Sequence, residues 1–167
     1  MSKTFDSAVA WSQQSWLGAT AREVFWVFPL AEIFHFFGLC LLMGAVIVMD
    51  LRLLGWLKRM PLSATVKLVP AAMIGLAINL TSGIVFLCAY PENYWPSDAF
   101  RLKLLAIGIG AANALWFKFY EEPRLAGMAG DARTGIRTRL VAGLSLFIWL
   151  AVIVLGRFLP FVSKSSS

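Results

Sequence analysis

The sequence predicts an all-α integral membrane protein, an antiparallel four-helix transmembrane bundle with a short N-terminal interfacial helix. Hydrophobic residues make up 59% of the 167-residue chain and charged residues only 14%, whereas soluble domains have roughly 45–50% apolar and about 25% charged residues. Four apolar stretches are each long enough to cross about 30 Å of hydrocarbon. The sequence has no alternating strand pattern of the kind that barrels show, so helices must satisfy the backbone in these stretches.

Residues 1–25 are predicted to form an N-terminal interfacial segment. Its apolar side chains are interspersed among polar ones: Phe5, Val9, Trp11, Trp16 and Leu17. A short helix lying in the membrane–water interface would bury these side chains, and a flexible leader is the alternative. The transmembrane domain is predicted to follow at 26–160, and residues 161–167, which are mostly polar, are predicted to be a disordered tail.

The four spans are predicted at 26–49, 67–89, 100–119 and 140–160, in each case next to charged or turn-forming residues. Small residues recur every four positions in the second and third spans. They are Ala71, Gly75, Asn79 and Gly83 in the second, and Ala106, Gly110 and Ala114 in the third. Such ridges allow close helix approach, so they favour a compact bundle.

Basic residues concentrate in the first and third loops between spans, while the middle loop, "YPENYWPSD", has none. The positive-inside rule therefore places the two basic loops in the cytoplasm, and the middle loop and both termini outside. Aromatic side chains at the outer ends are expected to form an interfacial belt: Trp26, Tyr90, Tyr94 and Trp95. The formal net charge of +6 fits anionic lipid headgroups of the bilayer. No nucleic-acid-binding motif is present, so nucleic acid is not expected as a partner.

Ionisable side chains inside membrane spans are costly and usually functional. Glu32 and His35 are three residues apart, so they share a helix face. Lys103 lies in the first turn of the third span and Arg157 near the outer end of the fourth, which predicts that all four meet in the outer half of the bundle. The alternative is purely structural, an interhelical Glu32–Lys103 ion pair with a hydrogen bond to His35 nearby.

His35, the only histidine, is a candidate axial ligand for haem iron. Gly38, one turn further along the helix, would leave room for a macrocycle. Ligation by two histidines of one chain is excluded, so the second axial position would need Lys103, a methionine such as Met43 or Met73, water or another chain. Lys103 could also pair with a haem propionate.

Other metal sites are less well supported by the sequence. Glu32-x-x-His35 is half of a di-iron carboxylate motif, but a second half is missing from the spans. Copper could use histidine and methionine, yet the methionines are scattered along the chain.

Four more polar positions have structural interpretations. Asn79 and Asn113 are expected to hydrogen-bond between helices or to line a cavity. Asp50 and Arg52 are expected to form a local charge pair at the cytoplasmic interface.

The segments "EIFHFFGLCLLMGAVIVMDLRLLG", "AFRLKLL" and "AAN" resemble a family of small four-helix bacterial membrane proteins without an assigned activity. The resemblance spans roughly residues 10–160. That family has Glu-x-x-His in its first span, Asp-Leu-Arg-Leu-Leu-Gly at the cytoplasmic end of that span, and Phe-x-x-Lys opening its third span. The resemblance implies the bacterial inner membrane, and the orientation given by the positive-inside rule then puts both termini in the periplasm.

More distantly, the layout is similar to the CopD-type copper-resistance membrane domain and to the bacterial membrane-bound protoporphyrinogen oxidase. Those proteins also set a histidine in an early span against a lysine opening a later one. This similarity implies a haem or porphyrin site at His35, with Lys103 nearby.

The leading hypothesis is a membrane protein that binds haem b or a porphyrin, possibly a redox subunit. His35 would be the axial ligand, Lys103 the second ligand or propionate partner, and Glu32 would orient His35 or relay a proton. Gly38 and Arg157 complete the candidate site. One alternative is a non-enzymatic accessory subunit that packs in a larger membrane complex, and another is a copper or small-solute carrier. Other membrane subunits, or further copies of the chain in a homo-oligomer, are possible partners. Whether the protein is an enzyme is left open.

Overall fold

The computed structural model describes residues 10–12, 14–126 and 134–162, and every regular element in them is helical. The elements are α1 (Trp16–Glu23), α2 (Val27–Leu54), α3 (Leu62–Val66), α4 (Val69–Ala89), α5 (Pro91–Tyr94), α6 (Asp98–Trp116), a π-helical segment (Phe117–Glu121), α7 (Glu122–Ala126) and α8 (Ile136–Val162). The predicted side chains Phe5 and Val9 lie outside the described residues. So does the predicted tail beyond residue 162.

Four helical stretches are long and apolar enough to cross a membrane: Val27–Leu54, Leu62–Ala89, Asp98–Arg124 and Ile136–Phe158. This confirms the prediction of an all-α chain with four candidate spans. The second stretch joins α3 to α4, and the third includes the π-helical segment. Four apolar helices are compatible with a multi-pass membrane protein.

The first span ends five residues later than predicted, at Leu54, because two charged residues continue the helix. Asp50 is 5% exposed and Arg52 is 3% exposed, so both side chains lie inside the protein. The helix ends at Gly55, whose φ of 93° is readily adopted by glycine. The Gly55 N–H donates to the Arg52 carbonyl at 3.1 Å, and the Trp56 N–H donates to the Leu51 carbonyl at 3.0 Å.

Asp50 and Arg52 point in different directions, which differs from the expected local charge pair. Residues two apart on a helix do not face each other. Asp50 lines a cavity between the long helices, while the Arg52 Nε donates to the carbonyl of Met60 in the following loop.

Around the bundle the long helices follow the order α4, α2, α8, α6, with close packing of α2 on α4, of α2 on α8 and of α6 on α8. The α2–α4 crossing depends on two facing glycines. A Cβ atom added to Gly75 would lie 2.5 Å from the Leu42 nitrogen and 2.8 Å from the Gly38 carbonyl oxygen. Gly83, two turns further along α4, faces open space, so only part of the predicted ridge forms the contact.

Helix α1 packs on the C-terminal end of α4. The end of the bundle where α4 ends and α6 begins is called the outer end, and the opposite one the inner end. The Arg22 guanidinium donates from Nη1 to the carbonyls of Cys88 and Ala89, at 3.3 and 3.0 Å. These carbonyls lack partners within the helix, so a basic side chain is a favourable cap. Trp16 of α1 stays exposed, as an interfacial helix requires, but its placement in the interface remains a prediction.

The inner end of the bundle is closed by a hydrophobic cluster consisting of Met49, Leu53, Leu62, Val69, Phe117 and Ala142. Two threonine hydroxyls connect the segments around it. Thr134 donates to the Leu53 carbonyl at 2.6 Å, and Thr138 donates to the carboxyl of the buried Glu121 at 2.8 Å. The end of α2 and the π-helical segment are thereby fixed to the start of α8.

Candidate functional site

His35 lies half-buried on α2 and is oriented by a serine of α4. Its Nδ1 lies 2.8 Å from the Ser82 Oγ. The Ser82 hydroxyl donates to carbonyls of its own helix, Ile78 at 2.7 Å and Asn79 at 3.2 Å. A hydroxyl has one proton, so with this proton directed at the helix carbonyls Ser82 accepts from the imidazole. The network therefore assigns the proton to Nδ1 and a lone pair to Nε2.

Aromatic rings hold the imidazole from the outer side. The His35 ring lies 5.1 Å from the Phe86 ring, centroid to centroid, at an interplanar angle of 52°. Phe28 contacts both Phe86 and Tyr90, with centroids 5.3 Å apart in each pair. Contacts of this geometry are favourable for aromatic rings, so the orientation of His35 is restrained by packing as well as by Ser82.

Lys103 approaches His35 from α6. Its Nζ lies 3.3 Å from the position that a Cβ atom on Gly156 of α8 would occupy, so this glycine makes room for the lysine side chain. The positive charge of Lys103 acts on the imidazole of His35. The lysine of the third span therefore lies within electrostatic range of the first-span histidine.

Glu32 is exposed and lies towards the outer loop. Burial raises the pKa of Tyr94 above its usual value of 10.0, and the negative charge of Glu32 raises it further. The neutral phenol is thus favoured in the folded protein, and this contribution to stability is lost as pH rises above about 10. Among the described side chains, Glu32 and Lys103 do not form an ion pair within 4.0 Å.

The room expected at Gly38 is taken up by α4. A Cβ atom at Gly38 would lie 2.7 Å from the Asn79 Nδ2 and 2.8 Å from the Ile78 Cγ2. The physical reason is the close α2–α4 crossing, which brings these side chains against the glycine. Gly38 therefore serves helix packing, and this face of α2 does not accommodate a macrocycle.

The remaining candidate residues are Arg157 and two methionines proposed as the second iron ligand. Arg157 is exposed and follows directly on Gly156, the glycine that Lys103 contacts. Met43 is buried in a second hydrophobic cluster, about 12 Å further along α2 than His35 at 1.5 Å per residue. Met73 lines the cavity that contains Asp50. Neither methionine is placed to share an iron with His35.

Three polar residues of the spans have contacts in the structure that their spacing in the sequence does not reveal. Ser82 orients His35, and its only sequence signal is a hydroxyl in an apolar run. The Asn79 Nδ2 donates to the Gly75 carbonyl of its own helix at 3.0 Å, rather than to Asn113. Asn113 lines a cavity, which is the second of the two interpretations that its sequence position allowed.

In the part of the chain that the structure describes, no three His, Cys, Asp or Glu side chains gather as ligands for a bare metal ion. Haem iron, in contrast, is coordinated by its macrocycle and needs only one or two axial ligands from the protein.

A protein-family model matches residues 8–162. The chain belongs to the DUF6644 family. This family is described as one of unknown function, so the expected membership of a family without an assigned activity is confirmed. Searches of curated proteins and of solved structures gave no match for this DUF6644 member. The comparisons show no similarity to CopD-type domains or to protoporphyrinogen oxidase.

Proposed function

We propose that the outer half of the bundle binds haem b or a related porphyrin, with the Nε2 atom of His35 as an axial ligand of the iron. One observation carries the proposal: the Ser82 hydroxyl donates to α4 and therefore accepts from Nδ1. Histidines that bind metals almost always donate their other ring N–H to an oriented acceptor. His35 has this arrangement.

The surroundings of His35 define how such a ligand would lie. Nδ1 faces α4 through Ser82, so Nε2 is directed away from that helix. The face at Gly38 is filled by Asn79 and Ile78. The macrocycle would therefore occupy the side of His35 from which Lys103 approaches.

Two basic residues at the outer end of the bundle, Lys103 and Arg157, suit the propionate groups of a porphyrin. The ammonium group of Lys103 would pair with a propionate or provide the second iron ligand. Arg157, next to Gly156, would meet a second propionate near the outer membrane surface. Bound haem would supply one-electron redox chemistry, and its axial ligands and surrounding hydrogen bonds would set its potential. Glu32, close to Tyr94, would influence proton uptake at the outer end of the site.

We propose the bacterial inner membrane as the location, with both termini in the periplasm. The basic loops then face the cytoplasm, in agreement with the positive-inside rule, and the lipid bilayer is the main partner. His35 and Lys103 would open towards the periplasmic side.

The experiment is an absorption spectrum of the full chain, purified in mild detergent and titrated with haemin. We expect a Soret band with the position of a ligated haem, and we expect His35→Ala to remove it. Lys103→Met should weaken haemin binding by roughly ten- to a hundredfold, since one charge-assisted contact is worth roughly 1.5–3 kcal/mol. Lys118→Met is the matched control, because Lys118 pairs with Glu122 at the opposite end of the bundle.

A protein that takes up no haemin, and whose thermal unfolding is unchanged by His35→Ala, would contradict the proposal and favour an accessory subunit. A Soret band that persists in His35→Ala would show that the iron is held elsewhere. Titration with iron-free protoporphyrin, followed by fluorescence, separates recognition of the macrocycle from ligation of the metal. Metal analysis of the purified protein tests the copper alternative.

A further inference from the structure

A second polar site lies in the inner half of the bundle, away from His35. A cavity of about 50 Å³ opens between the four long helices. A water molecule needs roughly 10–15 Å³ measured in this way, so the cavity has room for an ion together with water. Its walls are mostly apolar, but one polar residue comes from each of three helices: Asp50 of α2, Asn113 of α6 and Ser145 of α8.

Among the residues that the structure describes, Asp50 is the only ionisable one that lines this cavity. It is 95% buried, and its Oδ2 atom has no hydrogen-bond partner among those residues. The Ser145 hydroxyl faces the carboxyl group. An ionised carboxylate in such surroundings is costly unless a positive charge or several hydrogen bonds compensate it. The lining of the cavity contains no basic side chain that could do so.

We propose that this cavity is a binding site for a small monovalent cation of the sodium class. Oxygen ligands select hard cations over the soft metals that prefer sulfur or nitrogen. The single carboxylate balances a single positive charge, which argues against a divalent ion. Protonation alone would also neutralise Asp50. A proton site, however, would need neither the cavity nor the Ser145 hydroxyl and Asn113 amide that line it.

The cation would reach Asp50 from the inner end of the bundle. Asp50 lies four residues before the end of α2, directly above the hydrophobic cluster around Leu62. Met49, Val69, Phe117 and Ala142 belong both to this cluster and to the wall of the cavity. Movement of the cluster would therefore open or close the site. This site is independent of the proposed haem site.

The test is binding of ²²Na⁺ to the full chain in detergent, together with thermal unfolding in NaCl and in choline chloride at equal ionic strength. We expect one Na⁺ per chain and a melting temperature that rises with the logarithm of Na⁺ concentration. Asp50→Asn, which keeps the shape of the side chain, should abolish both effects. Ser145→Ala should weaken Na⁺ binding about tenfold, as expected for loss of one hydrogen-bond-strength contact.

Asp98→Asn is the matched control, because it removes one negative charge from a side chain that is 85% exposed. It should leave ²²Na⁺ binding unchanged. Equal melting temperatures in sodium and choline, with no bound ²²Na⁺, would overturn the proposal. So would a melting temperature that responds to pH through Asp50 but not to Na⁺, since that result would identify a proton site. If Asp50→Asn does not fold, the Ser145→Ala binding curve still decides.

Discussion

Gly75→Leu is expected to separate α2 from α4 and to leave little folded protein. The atoms that a side chain at this position would meet are the Leu42 nitrogen at 2.5 Å and the Gly38 carbonyl oxygen at 2.8 Å. Both belong to the backbone of α2, so neither can move aside without shifting the whole helix. Overpacking of one or two methylene groups typically costs 1–3 kcal/mol. Leucine adds four carbons, so we expect a loss of stability above this range.

Gly83→Leu is the matched control, because Gly83 lies on the same helix with nothing within 4 Å of the added Cβ atom. We expect it to fold and melt like the unaltered protein. The measurement is size-exclusion chromatography in detergent followed by thermal unfolding of each variant. A Gly75→Leu protein as stable as Gly83→Leu would refute the close α2–α4 crossing, and with it the position of Ser82 against His35.

Leu62→Ala is expected to destabilise the inner end of the bundle by about 2–5 kcal/mol, the range for a buried leucine replaced by alanine. Leu62 is 0% exposed and packs in the cluster that joins α3 to the long helices. Its carbonyl also accepts a 2.5 Å hydrogen bond from Thr65. Loss of the side chain leaves a cavity below the Asp50 site.

Leu57→Ala provides the comparison for this variant. Leu57 lies in the loop that precedes α3 and is 39% exposed, so its removal should cost less than about 1 kcal/mol, in line with ordinary surface substitutions. Reversible denaturant unfolding in mixed micelles measures both. Equal losses of stability in the two variants would show that α3 is not packed as described.

Much of the fold could be predicted from the sequence, because the bilayer imposes simple length and composition rules. The four spans and the packing role of Gly75 followed from apolar runs and small residues at helical spacing. The end of α2 could not be predicted, since Asp50 and Arg52 resemble interfacial charges unless their burial is known. Burial depends on which helices pack together, and hydrophobic periodicity is uninformative when every face is apolar.

The candidate site was predictable only in part. That Lys103 lies within electrostatic range of His35 was expected from the sequence, because a long lysine side chain near the start of the third span can reach down towards the deeper histidine of the first. Ser82 and the filling of the space at Gly38 depend on the rotation of α4 against α2, which a single sequence does not specify. Asp50 was assigned to a local pair with Arg52, because its apolar surroundings come from residues that are distant in sequence.

The most direct test of the account is the ¹⁵N NMR spectrum of the protein labelled with [¹⁵N]histidine, since His35 is the only histidine in the chain. We predict a protonated, pyrrole-type Nδ1 and an unprotonated, pyridine-type Nε2 at neutral pH, with the Nε2 signal lost or strongly shifted when haemin is added. In Ser82→Ala the preference between the two nitrogens should weaken. A proton on Nε2 with a free Nδ1 in the unaltered protein would contradict the account, because the atom proposed to bind iron would already be occupied.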